Sequence, residues 1–142
     1  MPGLKVKQRA TGASASVGRH GKAMVESATG GRIEIATAPS EAGFNPLDLV
    51  YSSLAACLVL SGRIAASRLG LLDKLAEVRA EVAGEKAQDE PSRIARIRIT
   101  FAVDGDLDDQ QKHAIAVMAE EICTVSNTFR DSPELILAVQ QS

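Results

Sequence analysis

The chain has 142 residues, with 16 Lys and Arg against 18 Asp and Glu, and its aromatic residues are three Phe, one Tyr and no Trp. This length predicts one domain spanning residues 1–142, with enough chain to bury a core. The balanced charge argues against a nucleic-acid binder, and the scarcity of aromatic residues argues against a base-stacking platform.

The N-terminus has no apolar run in residues 1–5, so the sequence predicts no signal peptide and a cytoplasmic protein. The uncharged stretch 49–62 is too short and too rich in serine to be predicted as a membrane span, and no membrane partner is expected. In the cytoplasm, two cysteines are more often free, catalytic or redox-active than joined in a structural bridge.

The first part of the chain is predicted to form strands. Segments 25–27 and 32–35 flank a Thr-Gly-Gly turn, which is a hairpin signal. A glycine-flanked turn, which presents Arg19 and His20, separates this hairpin from an earlier strand at residues 4–8.

A long helix is predicted next. Asn45 is a good N-cap, Pro46 suits the first helical position, and Asp48 can complete a capping box. The helix is expected to run to about Leu69, where Gly70 stops it. Because its residues are apolar or small on nearly every face, we expect protein to surround it.

Two alternating segments, 76–82 and 96–103, are predicted to form an antiparallel pair of strands. Cross-strand charge pairs are common in such ladders. The acidic side chains of the first strand are expected to meet the basic side chains of the second, with Glu77 and Glu81 facing Arg96 and Arg98.

A second helix is predicted to begin with Asp106 as its cap and to end near Cys123, with an apolar stripe at three- and four-residue spacing. Residues 126–133 are rich in turn formers, and residues 135–139 are short, apolar and β-prone, as in a last strand. This order of strands and helices predicts an α+β sandwich.

The two cysteines leave several interpretations open. Both Cys57 and Cys123 can be small buried hydrophobic residues, which free cysteines often are. A zinc site would need His20 and His113 as well, and no two of these four residues have ligand spacing. The third interpretation is a redox pair, for which a thiolate is the required nucleophile.

The redox interpretation assigns different roles to the two sulfurs. Cys57 lies in the middle of its helix, so a nearby cation has to favour its thiolate, and Arg19 is a candidate for that charge. Cys123 lies at a helix C-terminus, where the dipole disfavours a thiolate. Cys57 is therefore predicted to attack and Cys123 to resolve the sulfenic acid as a disulfide.

Three motifs resemble the OsmC/Ohr superfamily of hydroperoxide-reducing and osmotically inducible proteins over nearly the whole chain. They are Gly-Arg-His-Gly-Lys-Ala at 18–23, Asn-Pro at 45–46 followed at family spacing by Ala-Ala-Cys at 55–57, and Cys-Thr-Val-Ser at 123–126. The resemblance implies an α+β fold with two central helices against antiparallel sheets, in an intertwined homodimer.

By the same resemblance, Cys57 is the peroxidatic cysteine, Cys123 the resolving cysteine and Arg19 the residue that stabilises the thiolate and orients the peroxide, within one subunit or across two. The implied function is a thiol-dependent peroxidase for organic hydroperoxides in oxidative-stress defence. Its partners are the hydroperoxide and a dithiol reductant, and because sulfur carries the chemistry, no cofactor or metal is implied.

Leu47 occupies the position at which the Ohr branch has a glutamate that holds the arginine. Glu41, in the preceding loop, can stand in for that glutamate, although a solvated loop charge is the favoured interpretation. The departure at Leu47 supports an alternative function, in which an OsmC-like scaffold binds a small molecule or takes part in a stress response with little or no peroxidase activity. A purely structural dimer module is a third, weaker interpretation.

Overall fold

A computed structural model describes residues 10–141, which divide into two compact units between Leu49 and Val50. Their elements are three helices, a short 3-10 turn (Leu72–Lys74) and two antiparallel sheets. The predicted α+β class is therefore confirmed.

The first unit contains a three-stranded antiparallel sheet in the order β1 (Ala13–Ser16), β2 (Met24–Ser27), β3 (Arg32–Glu34). The hairpin between β2 and β3 is confirmed, and its turn includes Gly30 at φ 102. The strand predicted at residues 4–8 lies outside the described residues.

Helix α1 (Pro46–Arg68) begins as the sequence predicts. The Asn45 side chain accepts a hydrogen bond from the Asp48 backbone at 2.8 Å, and the Asp48 carboxylate accepts one from the Asn45 backbone at 3.0 Å. These two bonds satisfy backbone donors that the first helical turn leaves free. Gly70, at φ 72, follows the last turn.

Helix α1, with 23 residues, is long and apolar enough to cross a membrane by length and composition alone. From the sequence, its uncharged stretch 49–62 was expected to be too short for a membrane span. Core helices of soluble proteins meet the same two criteria. We expected protein to surround this helix. In the single chain, protein covers only one of its faces, and on the uncovered face Leu60 and Ile64 remain 51% and 47% exposed.

The second unit contains a long hairpin of β4 (Leu75–Lys86) and β5 (Ile94–Gly105), which confirms the predicted antiparallel pair. The predicted charge pairing is wrong. Glu81 lies opposite Thr100, and Glu85 accepts a hydrogen bond from Arg98 at 2.8 Å. Strand β4 runs on to Lys86 and β5 already begins at Ile94, so both strands are longer at the connecting end than predicted. The residues that face each other across the hairpin therefore differ from the predicted pairs.

Helix α1 packs closely on this hairpin. A Cβ atom at Gly62 would lie 2.9 Å from Val78 and 3.0 Å from Phe101, so only glycine fits without a shift of its neighbours. The buried residues further along the helix pack with β5 and the second helix, in a cluster that comprises Ala65, Ala66, Val103, Ile115 and Ala119.

Helix α2 (Asp109–Ile122) is capped by Asp108 and not by the predicted Asp106. Asp108 accepts a hydrogen bond from the Gln111 backbone at 2.8 Å, and the Gln111 side chain accepts one from the Asp108 backbone at 3.0 Å. Asp106 instead donates its backbone N–H to the Lys74 carbonyl at 2.9 Å, which ties it to the base of the hairpin.

The sequence prediction fails at two places after α2. Residues 124–130, expected to be turn-rich, form a third helix, α3 (Thr124–Arg130). The strand predicted at residues 135–139 is not formed, because no strand of the described chain pairs with it. Its apolar side chains are strongly exposed: Leu135 92%, Ile136 84%, Leu137 89% and Val139 75%.

Candidate active site

Cys57 lies in the middle of α1, between two residues that face the protein interior. Leu54 and Leu58 are both 2% exposed, whereas Cys57 itself is half-buried. The free thiol therefore lies at the margin of the apolar core, where a small reactant can approach it and where bulk water is partly excluded.

Cys123 lies at the junction of α2 and α3 and is 0% exposed. It follows the last residue of α2, as predicted, and it is also the N-cap of α3. Its Sγ accepts a hydrogen bond from the Ser126 backbone at 3.4 Å. The fold thus holds this sulfur in one position against the core.

The fold brings the two cysteines together. Cys57 packs against the buried cluster formed by Leu54, Leu58 and Cys123. Hydrogen bonding between the two side chains shifts both pKa values, lowering that of Cys57 and raising that of Cys123. Both thiols are free in this structure, and their contact gives a sulfenic acid on one sulfur a direct route to the other.

The surroundings favour a thiolate at Cys57. Burial raises the pKa of the Cys57 thiol, but hydrogen bonding to the Cys123 side chain and to the Val125 backbone lowers it. The Ser61 side chain and the Thr124 backbone lower it further, so that the pKa lies below its ordinary value. Hydrogen bonds of this kind stabilise the charged form selectively.

The pKa of Cys123 moves in the opposite direction. Burial raises the pKa of the Cys123 thiol, and the hydrogen bond to Cys57 and the charge on that neighbour raise it further. The backbone groups of Ser126 and Val125 offset only part of this effect. The protonated form of Cys123 is therefore favoured, in contrast to that of Cys57. The predicted asymmetry has the right sign, but burial, and not the dipole of α2, is the first cause.

Arg19 belongs to the first unit, where it lies exposed in the turn between β1 and β2. His20, beside it, is also exposed, in keeping with its interpretation as a turn residue. Cys57 belongs to the second unit, and the role of Arg19 toward it stays a prediction.

Glu41 is not the solvated loop charge that was favoured from the sequence. Its side chain is 26% exposed and forms an ion pair with Lys22, which also lies 3.4 Å from Glu34. The same carboxylate accepts a hydrogen bond from the Thr37 backbone at 3.0 Å. Glu41 therefore anchors its own loop, and its cationic partner is Lys22.

Two contributors to the site were missed from the sequence. One is the backbone at the start of α3, which the turn-rich composition of this segment concealed. The other is Ser61, whose spacing of four residues from Cys57 on the same helix was a usable signal, because residues so spaced share a helix face.

An open groove, which neither cysteine lines, shares Leu54 with the cluster around the cysteine pair. It has a volume of about 370 Å³, and its lining includes Leu54, Ile97, Ser126 and Phe129, with Arg96 and Arg130. Leu54 packs against the cysteine cluster, so the groove reaches the same part of the core. Among residues 10–141, no group of three or more His, Cys, Asp or Glu could hold a metal ion.

Comparisons with known proteins identify the family and the fold. A sequence profile of the OsmC-like protein family matches residues 39–138, which include both cysteines. A comparison with curated proteins finds no match.

Several crystal structures share the fold at low sequence identity. An OsmC-like protein from Mycoplasma pneumoniae is 15% identical, with a TM-score of 0.74 and coverage of 91% of each chain. An organic hydroperoxide resistance protein from Elizabethkingia anophelis is 19% identical, with a TM-score of 0.71 and coverage of 91% of this chain and 93% of that one. The organic hydroperoxide resistance protein OhrB of Bacillus subtilis is 23% identical, with a TM-score of 0.61 and coverage of 85% and 90%.

Proposed function

This chain belongs to the OsmC-like family of the OsmC/Ohr superfamily, and from that premise we propose that it is a thiol-dependent peroxidase that reduces organic hydroperoxides. The observation that carries the proposal is the contact between Cys57 and Cys123, whose pKa values are shifted in opposite directions. A thiol peroxidase with a resolving cysteine needs this division, with one sulfur ready to attack and the other still protonated.

In the first step, the Cys57 thiolate attacks an oxygen of the hydroperoxide. A sulfur–oxygen bond forms, the oxygen–oxygen bond breaks, and two electrons pass from sulfur to the peroxide. The leaving alkoxide takes up a proton and departs as the alcohol, and Cys57 becomes a sulfenic acid. Arg19 is proposed to favour the thiolate and to orient the peroxide, in the same subunit or across a homodimer.

In the second step, the Cys123 sulfur attacks the sulfenic sulfur of Cys57. A disulfide forms, and the sulfenic oxygen leaves as water with the proton that Cys123 gives up. A cellular dithiol then reduces the disulfide by exchange and becomes oxidised itself. We place this cycle in the cytoplasm, where dithiol reductants are kept reduced.

The proposed assembly is a homodimer, as the family resemblance implies. The exposed apolar residues of the last segment support it, because isolated chains rarely leave such a run open to water. Light scattering after gel filtration measures the assembly directly.

The function is tested by mixing the reduced protein with a stoichiometric amount of cumene hydroperoxide or hydrogen peroxide. Wild type, Cys57→Ser and Cys123→Ser are compared by thiol loss and mass spectrometry. Wild type is expected to form an intramolecular Cys57–Cys123 disulfide rapidly, faster with cumene hydroperoxide, and Cys57→Ser is expected to be inert. If wild type keeps both thiols for many minutes in excess peroxide, the proposal is wrong.

A second candidate function is small-molecule binding without peroxidase activity. Leu47, at the position where the Ohr branch has glutamate, favours it, and the groove of about 370 Å³ offers the space. Native mass spectrometry of the purified protein detects such a ligand, and persistence of both thiols under peroxide would then be expected.

A further inference from the structure

Cys57 has a serine one helical turn away on each side, at Ser53 and Ser61. Side chains four residues apart on a helix are neighbours on one face, so both hydroxyl groups start within reach of the Cys57 sulfur. The two serines differ in their surroundings, and this difference assigns them different roles.

Ser53 is exposed, and its hydroxyl donates to the carbonyl of Val50 in its own helix at 2.7 Å. That bond uses the single proton that a serine hydroxyl can donate. The side chain is therefore occupied with its own backbone, and it points its donor away from Cys57.

Ser61 is 5% exposed, and it shares such burial with only one other polar residue of the described chain, Ser126. A buried hydroxyl needs a hydrogen-bond partner, because leaving it unpaired away from water costs free energy. Ser61 lies one turn beyond Cys57 on the same helix, so the Cys57 sulfur is within reach of its hydroxyl. Hydrogen bonding to the Ser61 side chain lowers the pKa of Cys57.

The backbone that carries Ser61 has little freedom to move. The next residue, Gly62, is buried against the hairpin, where a Cβ atom would lie 2.9 Å from Val78 and 3.0 Å from Phe101. The close approach of helix and hairpin at this point holds the serine at a constant distance from the cysteine one turn earlier.

We propose that Ser61 is a positioning residue for the proposed peroxidase, whose hydroxyl donates a hydrogen bond to the Cys57 thiolate and holds that sulfur toward Cys123. A thiolate accepts such a bond more strongly than a thiol does, so the bond favours the reactive form. The inference rests on the proposed function only in that Cys57 acts as a thiolate.

The test is the pH profile of Cys57 alkylation by monobromobimane, with the modified residue identified by mass spectrometry. Ser61→Ala is expected to move the midpoint upward by about half to one pH unit, which means about three- to tenfold less thiolate below the midpoint. Ser53→Ala is the matched control, because it makes the same change on the same helix and is expected to leave the midpoint unchanged.

A second pair of variants separates the hydroxyl from its volume. Ser61→Thr keeps a hydroxyl and Ser61→Val has nearly the same shape without one, so only the valine variant is expected to raise the midpoint. If Ser61→Ala proves too unstable to titrate, this pair still shows whether the hydroxyl lowers the Cys57 midpoint.

An unchanged midpoint in Ser61→Ala, equal shifts in Ser61→Ala and Ser53→Ala, or equal shifts in the threonine and valine variants would each overturn the inference. Alkylation needs no peroxide, so the inference and the peroxidase function fail separately. A wild type inert to peroxide with a midpoint that still depends on Ser61 would contradict the function alone.

Discussion

Cys57 and Cys123 share one cluster of the core and contact each other, yet their thiols have opposite tendencies. Cys57 is half-buried in the middle of a long helix and has a lowered pKa, although a mid-helix position offers no help from the helix dipole. Cys123 is fully buried between two helices and has a raised pKa. The difference comes from neighbouring groups that the chain brings in from other elements.

The comparison shows why the position of a cysteine within its own helix is a poor guide to its acidity. Apart from Ser61 on the same helix, the groups that favour the Cys57 thiolate come from Cys123 and from the backbone of α3, more than sixty residues away along the chain. The Cys123 side chain lowers the pKa of Cys57, and burial raises the pKa of Cys123 itself. Each sulfur therefore sets part of the chemistry of the other.

Cys123→Ser should abolish the disulfide. Serine is a preferred N-cap, so the start of α3 is expected to persist. The Cys57 sulfenic acid then has no partner sulfur, and excess peroxide should carry it on to the sulfinic acid. Mass spectrometry distinguishes the two products, and dimedone traps the sulfenic acid at short times. Equal resistance of wild type and Cys123→Ser to over-oxidation would mean that Cys123 does not resolve Cys57.

The Arg19→Ala variant tests whether the groups around Cys57 can activate its thiolate without a nearby cation. If Arg19 stabilises the thiolate and orients the peroxide, the rate of Cys57 oxidation by cumene hydroperoxide should fall about a hundredfold, as for loss of one electrostatic donor at other active sites. His20→Ala changes the neighbouring exposed residue of the same turn and serves as control. An unchanged rate in Arg19→Ala would leave the local groups as the whole cause of the difference between the cysteines.

The two thiols should also separate in their pH dependence. A lowered pKa places the titration midpoint of Cys57 below that of an ordinary cysteine thiol, and a raised pKa places that of Cys123 above it. The ultraviolet absorbance of the thiolates measured against pH resolves the two steps, and alkylation with site-resolved mass spectrometry assigns the lower one to Cys57. A common midpoint would contradict the division of roles.

The same shifts have opposite signs for stability. The lowered pKa of Cys57 contributes stability that is present above the ordinary thiol pKa and is lost as the pH falls through the folded value. The raised pKa of Cys123 contributes stability that is present below the ordinary value and is lost as the pH rises through the folded one. Stability therefore rises as the pH climbs to the ordinary thiol pKa and falls as the pH climbs beyond it, so the free energy of unfolding should pass through a maximum near that pKa.

The features that the sequence predicted well depend on local chemistry. The start of α1 follows from Asn45, Pro46 and Asp48, which act within one turn, and the α2 stripe and both long strands follow from periodicity. The pairing of charges in the hairpin was beyond reach, since alternation determines which side chains share a face but leaves the register open. Glu81 and Glu85 both fit the pattern, and only the connection decides between them.

The errors of the sequence analysis concern elements that depend on distant partners. Helix α3 has seven residues, too few to be stable on propensity alone, so its packing beside Cys123 decides its conformation. Residues 135–139 have strand propensity but no neighbouring strand in the described chain, and a strand forms only where its backbone groups find partners. The contact of Ser61 with Cys57 was within reach, because it depends on helix spacing alone.

The smallest expected effect concerns the N-terminus of α2, the helix that ends at Cys123. Asp108→Ala removes the side chain that accepts a hydrogen bond from the Gln111 backbone and should lower the free energy of unfolding by about 1 kcal/mol. Asp106→Ala is the matched control, since Asp106 contributes its backbone N–H to the hairpin and alanine keeps that group. Urea denaturation measures both variants.

The cap lies fifteen residues before Cys123, at the far end of its helix. If the cysteine pair owes its asymmetry to the groups in direct contact with it, Asp108→Ala should lower stability while the titration midpoints of both thiols stay at the wild-type values. A shift of either midpoint in this variant would mean that the acidity of the pair depends on the integrity of α2 as a whole. Equal destabilisation by Asp106→Ala would instead show that the cap is not specific to Asp108.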